Sequence, residues 1–215
     1  MNKYFREPMN GFTHLFGALL SIIGLMALVT KVTSSSYATT DLVAVVIFGV
    51  SLILLYATSA IYHLVVYTDD VIAFLRRLDH SMIFLLIAGS YTPFCLIALN
   101  DPTGWILFVF IMSFAVVGIF FKMIWFNCPR WLSTSIYVFM GWIAVFLIKP
   151  LSSALSPNGI NLLILGGALY TIGAIIYATK PAFLKSKYFG FHEIFHIFVM
   201  LGSLAHFICV FVYVI

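Results

Sequence analysis

Seven long apolar stretches dominate this chain. Each approaches the roughly 20 residues that an α-helix needs to cross about 30 Å of hydrocarbon. They lie near residues 12–30, 43–67, 79–99, 104–126, 131–149, 160–179 and 190–214. Helices are expected because unpaired sheet edges are not tolerated in lipid, and the alternating pattern of a barrel strand is absent. The sequence predicts an all-α membrane protein, a seven-helix transmembrane bundle that forms a single domain over residues 1–215.

The composition agrees with a surface that faces lipid. Apolar residues make up 63% of the chain and charged residues 8%, whereas soluble domains are about half apolar and about a quarter charged. A domain of this size could not bury the excess in a larger core. Cys95, Cys128 and Cys209 are too widely spaced to predict a disulfide framework or a thiolate metal site. The basic residues sit in short loops, so we expect no nucleic-acid partner.

Lysine and arginine residues are distributed unevenly between the two membrane sides. Two lie on one side, Lys31 and Lys149. Nine lie on the side of the N-terminus, namely Lys3, Arg6, Arg76, Arg77, Lys122, Arg130, Lys180, Lys185 and Lys187. This excess predicts a cytoplasmic N-terminus and an external C-terminus. A cleaved signal peptide is the alternative for the first stretch, but its length and the lack of an A-x-A site argue against cleavage.

Ionisable residues cluster at one predicted membrane depth. Ser59 and His63 lie near the end of the second stretch, Asp79 opens the third, and His192 and His196 open the last. Because the stretches alternate in direction, all five fall near the cytoplasmic side. Intramembrane ionisable groups are rare and usually functional, and residues four apart share a helix face. We therefore expect the three histidines to converge on one metal ion.

Zinc is the expected ion, because it favours imidazole nitrogen and its catalytic sites keep three protein ligands and an open position for water. Asp79 is then expected to orient or deprotonate that water, or to accept the second N–H of a ligand histidine. Ser59 would hydrogen-bond the water or a substrate carbonyl. The ordinary alternatives are a salt bridge from Asp79 to Arg76 or Arg77, and helix packing by a small residue at Ser59.

The segment from His192 to His196 also matches the HExxH pattern of metalloproteases, in which the glutamate is the general base. Glu193 is therefore a second candidate for the base, beside Asp79. Its alternative is a solvated position at a helix N-terminus, which favours anions. His80 is expected to turn away from Asp79 by about 100° around the helix and to be structural.

Other polar residues are expected to support the site or the bundle. Glu7 and His14 lie on one face at the depth of the proposed metal site, and we expect His14 to be structural or to support a ligand rather than bind the metal. Ser203 and His206 follow on the last stretch, with His206 about 15 Å deeper than His196. They are expected to line a polar cavity or to hydrogen-bond across helices.

The motifs together resemble the hemolysin III family, the bacterial branch of the progestin and adipoQ receptor family. The matching segments are residues 7–17 (EPMNGFTHLFG), 59–63 (SAIYH), 79–80 (DH), 88–93 (AGSYTP) and 192–196 (HEIFH). They span nearly the whole chain in the family's order. The resemblance implies a seven-helix bundle in the bacterial cell membrane with a cytoplasmic N-terminus.

The resemblance also implies a zinc site. It implies Zn²⁺ held by His63, His192 and His196, with Asp79 and Ser59 close to the metal-bound water. Relatives in the wider superfamily include ceramidase-like amide hydrolases. We therefore expect a zinc-dependent hydrolase acting on an amide or ester bond of a membrane lipid. The alternatives are a non-catalytic membrane sensor or regulator with structural zinc, a transporter, and an intramembrane metalloprotease.

Overall fold

The protein is described from a computed structural model that covers residues 4–125, 127–184, 186 and 190–215. Within these residues every regular element is helical, and seven helical spans are long and apolar enough to cross a membrane. The prediction of an all-α, seven-span membrane protein is confirmed. Lys3, Lys185 and Lys187, which contribute to the predicted orientation, lie outside the described residues.

Eight α-helices build the seven spans. They are α1 (Pro8–Thr33), α2 (Thr39–Leu64), α3 (Asp69–Pro93), α4 (Pro102–Ile124), α5 (Arg130–Trp142), α6 (Ile148–Ala154), α7 (Pro157–Thr179) and α8 (Phe191–Cys209). The fifth span consists of α5 and α6, joined by a 3₁₀ segment at Ile143–Leu147. Two π-helical segments, Phe94–Leu99 and Val210–Val214, extend α3 and α8.

Helix α3 differs most from its sequence-based bounds, since it begins at Asp69 and not at Asp79. The charged residues before Asp79 interrupt the apolar pattern but do not interrupt the helix. Asp69 and Asp70 lie in its first turn, where carboxylates stabilise the positive end of the helix dipole. The third span has 31 residues, or about 46 Å of helix, which exceeds the hydrocarbon thickness. Its charged first turns can therefore lie outside the hydrocarbon.

Particular residues determine the conformation of the turn after the third span. Pro93 lacks a backbone N–H, and the helix widens into the π-helical segment directly after it. Asn100 ends that segment in the left-handed region at φ 43°. Asp101 then caps α4 by accepting a hydrogen bond from the Gly104 N–H at 2.7 Å. A Cβ at Gly104 would stand 2.2 Å from the Cys95 carbonyl oxygen, so this close approach requires glycine.

The helices form a ring around an internal cavity. Each of α1, α2 and α3 packs on the next, α5 contacts α3 and α7, and α8 contacts α7 and α1. Helix α4 packs on α3 and contributes Lys122 to the cavity lining. The ring surrounds a mainly apolar cavity of about 340 Å³ that extends from His192 to His206 along α8 and is partly open at the side, where the exposed Trp142 and Ile164 line it. We call the end of the bundle that holds Glu7, the last turn of α2 and the start of α8 the N-terminal end.

Candidate metal centre

Three histidines meet at the N-terminal end of the cavity. His63 lies at the end of α2, and His192 and His196 lie in the first two turns of α8. One ring nitrogen from each lies within 4.8 Å of the other two, an arrangement that can hold a metal ion. His63 and His196 are almost completely buried, at 1% and 2% exposure. The structure thus brings together the three histidines that the sequence selected.

The spacing of the nitrogens suits tetrahedral zinc. Two nitrogens bound tetrahedrally at about 2.0–2.1 Å lie about 3.3–3.4 Å apart. The Nε2 atoms of His63 and His192 are 3.4 Å apart. The third histidine completes a set of neutral imidazole donors of the kind that zinc accepts. One of the three separations thus matches tetrahedral zinc, and the third nitrogen lies within 4.8 Å of the other two.

Glu7 orients one member of the cluster. The Nδ1–H of His63 donates to Glu7 Oε2 at 2.6 Å, which leaves the Nε2 lone pair directed at the cluster. The Glu7 backbone N–H also donates to the His63 carbonyl at 2.9 Å. The hydrogen bond from His63 lowers the pKa of Glu7 to about 2, so the carboxylate is charged at neutral pH. The sequence placed Glu7 at the right depth but did not predict its pairing with His63.

His14 adds a fourth imidazole beside the cluster. Its ring stacks on that of His196, with centroids 3.6 Å apart and planes 9° apart. It is not part of the three-histidine group found among the described residues. Both of its ring nitrogens are buried and have no hydrogen-bond partner in the described part of the chain. His14 thus lies beside a ligand candidate, and its structural or supporting role stays a prediction.

Asp79 lines the cavity next to the histidines and is 13% exposed. Its carboxylate interacts with the hydroxyl of Ser59 and with the ring of His80, whose Nδ1 lies 3.4 Å from Asp79 Oδ2. The contact with His80 corrects the expectation that this ring turns away, because the side chain reaches back along the helix to the Arg76 carbonyl. Among the described residues, Asp79 stands outside the three-histidine group.

Glu193 is engaged elsewhere. Its Oε2 accepts a hydrogen bond from the Gly190 N–H at 2.8 Å and so caps the first turn of α8. It does not line the cavity described above. This capping contact accounts for the glutamate in the HExxH pattern without a catalytic role. The geometry favours Asp79 over Glu193 as the carboxylate available for chemistry.

A second polar cluster lies beside the deep end of the cavity, which two of its members, Tyr170 and His206, line. The hydroxyl of Tyr56 donates to Ser203 Oγ at 2.6 Å, and Tyr170 Oη lies 2.8 Å from the same atom. His206 Nε2 lies 3.3 Å from the Leu163 carbonyl oxygen. The sequence allowed Ser203 and His206 either to hydrogen-bond across helices or to line a cavity. Both residues hydrogen-bond across helices, and His206 also lines the cavity.

Comparison with known proteins places this chain in a family. Residues 2–207 match the profile described as Haemolysin-III related. The chain belongs to this family. It is 40% identical to Hemolysin-3 of Bacillus cereus over 215 residues, which cover all of this chain and 94% of that protein. It is 41% identical to the Hemolysin-3 homolog of Bacillus subtilis (strain 168) over 210 residues, or 96% and 93% of the two chains.

A more distant relative is Heptahelical transmembrane protein 1 of Arabidopsis thaliana. It is 26% identical over 179 residues, which cover 75% of this chain and 53% of the plant protein. The resemblance drawn from the sequence motifs is thus confirmed at the level of the family. With the seven spans, the bacterial relatives identify a multi-pass bacterial membrane protein.

Proposed function

We propose that this membrane protein is a zinc-dependent hydrolase that cleaves an amide or ester bond of a membrane lipid. The observation that carries the proposal is the convergence of three imidazole nitrogens at one end of a mainly apolar cavity. His63, His192 and His196 would hold the ion. Asp79 and Ser59 would act on the reacting groups beside it.

The ligand count supports catalysis over a purely structural site. Structural zinc sites are usually closed by four protein ligands, whereas catalytic sites keep three and an open position. A zinc ion held here supplies a Lewis acid that polarises a carbonyl and lowers the pKa of water. Among the described residues, the three-histidine group does not include Asp79. In this proposal the Asp79 carboxylate therefore does not bind the ion and can exchange a proton.

Asp79 and Ser59 supply the proton chemistry in this proposal. Hydrolysis adds one water across the bond, so a proton leaves the water and a proton reaches the departing amine or alcohol. Asp79 can accept the first proton and return it to the leaving group. Its interactions with Ser59 and His80 hold the carboxylate in place. Ser59 is 1% exposed, and its single O–H, which donates to Asp79 here, could instead donate to a substrate carbonyl in a site shielded from bulk water.

A lipid is the substrate class that suits the cavity. Its lining is mostly aliphatic and aromatic beyond the histidines, as an acyl chain requires. The outer surface of the bundle carries many exposed large apolar side chains, including Phe16, Phe120 and Phe146. A substrate dissolved in the bilayer can therefore reach the protein without crossing water.

The second candidate function is a membrane regulator in which the metal is a structural clasp. The deep burial of His63 and His196 favours this candidate. A site built from buried side chains exists only in the folded protein, so the free energy of metal binding stabilises the fold. This candidate predicts a large loss of thermal stability on metal removal and no turnover of any lipid.

The deciding experiment measures fatty-acid release by purified, zinc-loaded protein from ester-linked and amide-linked lipids. We expect Asp79→Asn to keep its zinc and to lower kcat by about 10²-fold or more, the usual effect of removing a general base. Asp70→Asn, an exposed position on the same helix, is the matched control and should keep full activity. Unchanged kcat in Asp79→Asn, or no release from any lipid by wild type, would overturn the proposal.

A further inference from the structure

The segment before α1 lies across the end of α2. It comprises residues 4–7, and we call it the strap. Its donors are a terminal nitrogen of the Arg6 side chain, the Glu7 N–H and the Arg6 N–H, which donate in turn to the carbonyls of Tyr62, His63 and Leu64. The last carbonyls of a helix have no partner within that helix. The strap therefore caps the last turn of α2 with donors from a distant part of the sequence.

Arg6 fastens the strap to α2 with its side chain. Its guanidinium carbon lies 4.1 Å from the ring centroid of Tyr62, the residue whose carbonyl it also binds. Its contact with Glu7 Oε1 is 4.0 Å long, and a partly exposed ion pair of that length contributes little. A charged donor at the negative end of a helix contributes more, because it pairs with both a carbonyl and the helix dipole. Arg6 therefore holds the strap mainly through the end of α2.

A metal-ligand candidate occupies the helix end that the strap caps. His63 is the second-last residue of α2 and is 1% exposed. Helix ends open more readily than helix centres, and the release of an ion begins when one of its ligands turns away. The strap pairs the carbonyl of His63 and the carbonyls of both its neighbours. It therefore opposes the local opening that would free this imidazole.

The strap also carries the carboxylate that orients this imidazole. Glu7 Oε2 accepts the hydrogen bond from His63 Nδ1 at 2.6 Å, and the Glu7 side chain is 41% exposed. Water competes for a carboxylate that is exposed to this extent. The contact with His63 therefore depends on a backbone that keeps Glu7 against α2, and the strap is that backbone.

The packing of α1 on α2 does not depend on Arg6. A Cβ at Gly11 would stand 2.4 Å from the side chain of Leu64, so the first turn of α1 lies directly against the end of α2. Loss of the Arg6 side chain should therefore loosen the strap and leave the two helices together. An effect on the metal centre can thus be separated from an effect on the fold.

We infer that Arg6 is a positioning residue of the metal centre, which fastens the strap over the end of α2 and so slows the release of a bound ion. Arg6 acts through the Glu7 carboxylate and the His63 imidazole and does not bind the ion. The inference rests on the three-histidine centre of the proposed function, but it does not require hydrolysis. No bond of a substrate forms or breaks in it.

The test measures the rate of zinc release, so it does not depend on turnover. Zinc-loaded protein in detergent is mixed with an increasing excess of a chelator that absorbs visible light when it binds zinc. The limiting rate at high chelator concentration is the rate of spontaneous release. We expect Arg6→Gln to release zinc about tenfold faster, the effect of losing one charge-assisted hydrogen bond, with an unchanged zinc content at saturation.

The outcomes separate this inference from the hydrolase proposal. Equal limiting rates in wild type and Arg6→Gln would overturn the inference and leave the hydrolase proposal intact. Zinc that is retained as expected, without turnover of any lipid, would overturn only the hydrolase proposal. Wild-type protein that binds no zinc would overturn both. Arg6→Lys keeps the charge but lacks the planar guanidinium, so its rate should lie between those of wild type and Arg6→Gln.

Two controls distinguish positioning from general stability. Arg77→Gln changes an exposed cation outside the strap and should release zinc at the wild-type rate. Ser203→Ala removes a hydrogen-bond partner at the deep end of the bundle and should also leave the rate unchanged. Faster release in these variants, equal to that of Arg6→Gln, would show a diffuse effect and overturn the inference. The melting temperatures of the metal-free proteins show whether all of them are equally folded.

A double-mutant cycle tests the route through Glu7. In the Glu7→Ala background the carboxylate that the strap carries is absent, so Arg6→Gln should accelerate zinc release less than it does in wild type. Full additivity of the two changes would show that Arg6 acts independently of the Glu7 carboxylate and would overturn the inference.

Discussion

The two polar regions of the cavity differ in how their hydrogen-bonding groups are matched. At the deep end, the hydroxyls of Tyr56 and Tyr170 contact Ser203, and His206 contacts a backbone carbonyl. At the N-terminal end, the ring nitrogens of three histidines approach one another. Donors meet oxygen acceptors in the first region, whereas nitrogens meet nitrogens in the second.

This difference shows that a buried polar residue is not by itself a sign of chemistry. A network whose donors and acceptors pair can hold helices together in lipid without a ligand. Three ring nitrogens that converge on one point cannot all pair with one another, because each carries either one hydrogen or one lone pair. A cation satisfies several of these lone pairs at once. The N-terminal end is therefore the region that could hold a metal ion, whereas the contacts of the deep end suit helix packing.

The largest expected effect tests that division on helix α8 itself. His196→Ala removes one of three ligands and should reduce bound zinc to a trace, because two imidazoles alone hold the ion weakly. His206→Ala removes an equally buried imidazole ten residues along the same helix and should keep the full zinc content. Elemental analysis of the purified proteins measures both.

Equal zinc loss in the two variants would break the comparison, because it would show that metal content follows the integrity of the bundle and not the ligand set. Wild-type protein and His80→Ala complete the series. His80 contacts Asp79 but stands outside the three-histidine group of the described residues, so its removal should preserve zinc.

An intermediate loss of zinc affinity is expected when the partner of His63 is removed. Glu7→Ala removes the carboxylate that orients His63 and should weaken zinc affinity about 10–100-fold, the usual cost of losing such a partner. The backbone hydrogen bond from Glu7 to His63 is unaffected by the change. Competition with a chelator of known affinity measures the difference. Asp41→Asn, an acidic residue in the first turn of α2, is a control that should leave the affinity unchanged.

Much of this site was accessible from the sequence because its signals are local. The four-residue spacing of His192 and His196 fixes a shared helix face, and alternating span directions fix a common depth with His63. The pairing of Glu7 with His63 was not accessible, because the two residues are 56 positions apart and no periodicity relates them. A common membrane depth could place Glu7 near the histidines, but it could not indicate which histidine Glu7 contacts.

The same limit applies to α3 and to the cavity. Hydropathy located the apolar part of the third span but not its start at Asp69, because charged residues can continue a helix beyond the hydrocarbon. Arg76, Lys122 and Arg130, which line the cavity, entered the sequence analysis as counts on one side of the membrane, with Arg76 also a salt-bridge candidate for Asp79. Whether such side chains face water or the interior depends on how three helices pack, which composition does not encode.

The smallest expected effect concerns the deep region. Ser203→Ala removes the oxygen shared by Tyr56 and Tyr170. Hydrogen bonds between membrane helices contribute about 0.6 kcal/mol on average and at most about 1.7 kcal/mol, so the loss of stability should lie in that range. Zinc affinity should not change. Unfolding in mixed detergent measures the stability, with Ser152→Ala, an exposed serine on α6, as the control. The comparison assigns packing and metal binding to separate regions. A loss of zinc in Ser203→Ala without unfolding would instead mean that the two regions are coupled. Tyr56 is the route for such coupling, because its ring centroid lies 5.1 Å from that of His14.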